Sequence, residues 1–169
     1  EFQRRLSEAA GRGRMQVPAD EWAFRSAFLE FLPAEFGRTV FDLVMAVTEA
    51  KNDGNPPRDW LERKREQLSR LTAASPDEAA LKAADALHNI ECTLRDLRRT
   101  GLGVLDRFRG GALVTWHYSA IAQLTGERLP PGNPLAAAVR EAAGRFSATI
   151  RELRPAADPS ARYPPPEVY

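Results

Sequence analysis

The chain has 169 residues, 43% hydrophobic and 28% charged, which is enough to bury one core and sets the expectation of a single globular domain. Lysine and arginine number 24 against 23 acids, and the resulting charge of +1 excludes the strong field by which basic proteins gather nucleic acid or anionic membrane. A lone cysteine, Cys92, excludes an intrachain disulfide and a cysteine-based zinc cluster, and the sequence has no apolar run of the roughly 18 residues a membrane span needs, so a cytoplasmic protein is the expectation.

Helical periodicity runs through nearly the whole chain and strand alternation is almost missing, so the expected fold is an all-α bundle of about six helices. Residues 20–31 carry Trp22, Phe24, Phe28 and Phe31, with Asp20 placed as an N-cap. Pro33 is expected to open a second helix, striped by Phe36, Val40, Leu43, Val44 and Val47 and ending near Lys51. NDGNPP at 52–57 reads as a turn, and 58–73 as a third helix with Trp60, Leu61, Leu68 and Leu71 inward. Ser75, Pro76, Asp77 and Glu78 start a helix expected to run from 76 to 99 and stop at Gly101. Residues 102–125 are helical in period with a break expected at Gly110-Gly111. A turn at 130–134 leads into a last helix, 134–153, with Leu135, Val139, Ala142, Phe146, Ile150 and Leu153 on one face. These elements define an expected domain over 1–154, followed by a proline-rich tail, 155–169, whose RYPPPEVY is a candidate ligand for a protein partner. The chain does not begin with Met, which raises the expectation of a longer natural protein.

The 76–99 helix has two faces. At 100° per residue, Leu87, Ile90, Leu94 and Leu97 form one apolar stripe, while Lys82, His88, Asn89, Cys92 and Asp96 gather around Asp85 on the opposite side. Such a helix either lines a pocket or is simply amphipathic.

The stretch LKAADALHNIECTLRDLRRTG, with Lys82, Ala84, Asp85, Leu87, His88 and Asn89 in K-x-A-D-x-L-H-N order, resembles the last signature of HD-domain metal-dependent phosphohydrolases, in the branch of alarmone (guanosine tetra/pentaphosphate) hydrolases. FGRTVFDLVMAVTEAK, WLERKREQL and LDRFRGGALVTWHY are similar to neighbouring stretches of that family, in the same order, so the resemblance covers about 36–118 and implies an HD-like fold. It implies a divalent, manganese-like metal held by a His, a His-Asp doublet and a distant Asp; Asp85 matches the last of these. It further implies phosphate or nucleotide contacts for Lys82 and Asn89, and a structural role for His88.

No histidine precedes His88, so the other imidazole ligands have no counterpart, and the spacing reaches only Ala19-Asp20, where Asp20 is a second metal candidate beside its capping role. His117, between two aromatics, reads as a packed residue or as a late ligand or base. Two expectations follow. One is a metal-dependent hydrolase of a phosphorylated nucleotide whose site is completed outside this chain. The other is a metal-free HD-fold domain that binds a nucleotide or a protein without cleaving anything.

Overall fold

The computed structural model describes residues 21–49, 59–111 and 113–153, with side chains from residue 29 onward. The described residues form six α-helices and one 3₁₀ helix and contain no strand, so the chain is an all-α bundle. It divides into two compact units whose boundary falls between Met45 and Ala46. Asp20 and the tail at 155–169 lie outside the described residues.

The first unit holds α1 (Glu21–Phe36) and most of α2 (Arg38–Val47). Pro33 does not open the second helix as its sequence position suggested; it lies inside α1, which continues to Phe36. A proline's own φ is helical, so its cost is one missing N–H and some crowding of the preceding turn. The break falls instead at Gly37, whose φ of 83° is a left-handed value that glycine reaches without strain. The expected stripe on α2 buries none of its members, and Val40 is exposed. That helix ends at Val47, short of Lys51.

The second unit carries the core. Asp59 caps α3 (Trp60–Thr72), its carboxylate accepting the backbone N–H groups of Leu61 and Glu62. α4 (Pro76–Thr100) begins in a reciprocal capping box: the Ser75 hydroxyl accepts the N–H of Glu78, and the Glu78 carboxylate accepts the N–H of Ser75 at 2.6 Å. Those bonds hold the Glu78 carboxyl below its usual range. The helix stops at Gly101, with φ of 70°. Where one broken α-helix was expected over 102–125, a 3₁₀ helix (Gly101–Arg107) is followed by a turn and by α5 (Leu113–Arg128). α6 (Pro134–Leu153) completes the unit, although its last leucine, Leu153, is exposed rather than inward.

α4 is the central rod, packed along α6, α5 and the 3₁₀ helix, while α3 packs on α5. Its predicted stripe is the core: Ile90, Leu94 and Leu97 are fully buried. Each such side chain contributes about 1.5–3 kcal/mol on leaving water. The buried alanines Ala79, Ala83 and Ala86 of α4, and Ala142 and Ala143 of α6, keep the packed surfaces small and allow close approach. Tyr118 of α5 meets Phe146 of α6 edge-on at 5.4 Å. Arg128 at the end of α5 donates from Nε to the carbonyl of Ala74 at 2.8 Å, tying the α3–α4 turn to the bundle. Among the described residues, no helix is long and apolar enough to cross a membrane.

Candidate ligand-binding cleft

The polar face of α4 is one wall of a cleft of about 490 Å³. α4 supplies Lys82, Asp85, Asn89, Thr93 and Asp96; α3 supplies Trp60, Lys64 and Gln67; α5 supplies His117 and Tyr118. Arg107 and Phe108 close it from the end of the 3₁₀ helix, and Glu49 enters from the segment after α2. The spacing of Trp60, Lys64 and Gln67 places them on one stripe of α3, as i, i+4 and i+7 positions do.

Within α4 the three residues singled out by sequence form one unit. Lys82 donates from Nζ to Oδ2 of Asp85 at 2.8 Å, and Asn89 donates from Nδ2 to Oδ1 of the same carboxylate at 2.8 Å. Lys82, assigned from periodicity to the polar side, is nevertheless buried, with its ammonium held by Asp85. Asp85 and Asn89 are exposed. The ammonium keeps two further N–H donors beyond the one given to Asp85.

A second hollow, of about 380 Å³, shares Glu49, Trp60, Lys64, Arg107 and Phe108 with the cleft and adds Arg63 and Arg109. Among the described residues its charged lining is four cations and the carboxylate of Glu49. That carboxylate is bridged by the Arg63 guanidinium and by Lys64 Nζ at 2.7 Å, with all three side chains largely buried. Arg107 is oriented by Asp96 at 2.9 Å. Across both hollows the cations Arg63, Lys64, Lys82, Arg107 and Arg109 outnumber the carboxylates Glu49, Asp85 and Asp96. A third hollow of about 330 Å³ shares Val47, Gln67 and Lys82 with the cleft.

The aromatic lining is fixed by packing. Gly110 lies so close to the Trp60 indole that a Cβ there would fall 2.6 Å from its ring atoms. The other neighbours of the indole are the Lys64 ammonium, 5.9 Å from the ring centroid, and the His117 ring, edge-on at 6.0 Å. His117 is buried, and burial together with the charges of Lys64 and Lys82 lowers its pKa to about 3, against the smaller opposing pull of Asp85. It is therefore a neutral imidazole at any physiological pH. Burial, reinforced by Asp85, raises the Tyr118 phenol to about 12, while a hydrogen bond to Thr93 works in the other direction.

The described residues do not fit the divalent metal that the family resemblance implies. No three His, Cys, Asp or Glu among them come together as a metal-binding group. Both oxygens of Asp85 already accept hydrogen bonds, and the Lys82 ammonium beside it opposes a second positive charge. His88 is exposed, with Cys92 Sγ 3.7 Å from its Nε2, and does not face the core.

Sequence reasoning reached Lys82, Asp85 and Asn89 and missed Arg63, Lys64, Gln67, Arg107 and Arg109 as members of one site. The adjacent cations on α3 were visible in WLERKREQL, but nothing in the sequence joined them to the arginines of LDRFRGG, more than 40 residues away. The sequence matches no known protein family and no curated protein.

Proposed function

We propose that this chain is an HD-like helical domain that binds a phosphorylated nucleotide, with the phosphates among Arg63, Lys64, Arg107 and Arg109 and the nucleoside along the polar face of α4. The observation that carries this reading is the junction of a cation-rich hollow with a larger cleft lined by aromatics and hydrogen-bonding side chains. Guanidinium groups match phosphate oxygens in pairs, and the carboxylates Glu49 and Asp96 orient them without using all their donors. Lys82 and Asn89, positioned by Asp85, offer the further donors on the opposite wall. Titration calorimetry with guanosine tetraphosphate and with the common nucleoside diphosphates tests it: micromolar or tighter binding is expected, with loss of about tenfold in Lys64→Met, and no binding by any of them ends the proposal.

The hydrolase reading rests on the K-x-A-D-x-L-H-N match and needs metal donors other than the described residues. Phosphate or pyrophosphate release in manganese by the purified chain would establish it. Binding without turnover, with or without manganese, assigns the chain as a binding module instead.

A further inference from the structure

Among the described residues, three buried side-chain polar atoms lack a hydrogen-bond partner, and all three belong to residues lining the two joined hollows: Arg63 Nε, Gln67 Oε1 and His117 Nδ1. A buried polar atom without a partner is costly, so three on residues that line the two joined hollows indicate what a ligand there would supply. Arg63 Nε can only donate and asks for an acceptor, which an anion satisfies. Gln67 Oε1 can only accept, and asks for an O–H or N–H. A fully ionised phosphate cannot provide that.

We propose that Gln67 and His117 form a neutral recognition subsite, distinct from the anion site, that takes an uncharged hydrogen-bond donor group of the ligand such as a sugar hydroxyl or a base N–H. This rests on the nucleotide-binding reading above and names what the site reads beyond phosphate. Geometry sets the division of labour. His117 is held edge-on against Trp60 and beneath Lys64 and Lys82, where a second cation is disfavoured, so its ring offers one donor and one acceptor and no charge. Gln67 lies two turns along α3 from Trp60, lines the cleft together with Lys82, and does not line the cation-rich hollow. A ligand that satisfies all three atoms must carry its negative charge at one end and a hydroxyl or N–H at the other. Inorganic pyrophosphate has the charge but neither a sugar hydroxyl nor a base N–H.

Calorimetric titration of the full chain with inorganic pyrophosphate and with the four common ribonucleoside 5′-diphosphates separates the two sites. The wild type is expected to bind at least one nucleoside diphosphate about tenfold or more tightly than pyrophosphate. Gln67→Leu, close in shape, and His117→Leu should each cut that preference about tenfold while leaving pyrophosphate binding unchanged; unchanged pyrophosphate binding also shows that the variant is folded. His117→Asn, which restores a polar atom near the position of Nδ1, should recover much of the preference. Equal wild-type affinity for pyrophosphate and the nucleoside diphosphates, or a preference that survives both leucine variants, overturns the subsite. Binding of none of these probes overturns the subsite, and if guanosine tetraphosphate also fails to bind the functional reading itself falls with it.

Discussion

His117 illustrates how a single side chain records its surroundings. Its ring is buried beside those of Trp60, Trp116 and Tyr118 and feels the charges of two lysines, so both burial and like charge disfavour the protonated form. The folded pKa of about 3 lies below the ordinary 6.5, so between those values the unfolded chain binds the extra proton. Stability from this residue is therefore complete above pH 6.5 and is lost as pH falls toward 3. From pH 7 to pH 5 the loss should be about 2 kcal/mol, read as a shift in the denaturant midpoint, and His117→Gln should remove most of that pH dependence. At the alkaline end the sign reverses for Tyr118: its phenol, raised to about 12, resists ionisation, so stability falls as pH climbs above 10, where the unfolded phenol ionises.

At the scale of elements, α4 is the piece that the sequence defines best. Its start is written in Ser75, Pro76 and Glu78, its end in Gly101, and its buried face in Ile90, Leu94 and Leu97. Ser75→Ala removes an acceptor from the first turn and should cost about 1 kcal/mol in chemical denaturation. The region after α4 was harder to read because 3₁₀ and α-helices place apolar residues at nearly the same spacing over a few turns. Only the tertiary structure shows that Val104 and Leu105 reach the core from a 3₁₀ segment, and that Gly110 is small because Trp60 lies against it. Gly110→Ala should therefore displace the indole and destabilise the domain by about 1–3 kcal/mol, with a lowered melting temperature as the readout. The α1–α2 boundary was misplaced for a different reason: proline reads as punctuation in a sequence, whereas the backbone here turns at Gly37.

For the molecule as a whole, net charge concealed the site. A chain at +1 signals no anionic partner, yet among the described residues folding gathers Arg63 and Lys64 of α3 with Arg107 and Arg109, at and just beyond the end of the 3₁₀ helix, around Glu49. Charge balance over a sequence does not constrain the local field, since the compensating acids are spread over other surfaces. Pyrophosphate binding should accordingly weaken as salt is raised from 50 to 300 mM, and Arg109→Glu should weaken it a further fivefold or so, measured by calorimetry at fixed ionic strength. The same logic explains why Asp85 was legible as a special residue but not as the hub between Lys82 and Asn89: a helix repeat places them on one side, and only side-chain geometry shows that the carboxylate is already engaged.

The cleft and the third hollow share Val47, Gln67 and Lys82, and the last two are long, unbranched side chains. That part of the shared lining is elastic. Turning a methylene chain to another rotamer costs on the order of 1 kcal/mol, far less than parting two packed helices. The room on offer thus depends on the guest: a short one meets about 490 Å³, and a longer one that draws the lysine aside gains access to the roughly 330 Å³ beyond. Affinity along a series of lengthening ligands should then taper gradually, where a rigid wall would impose a sharp cut-off.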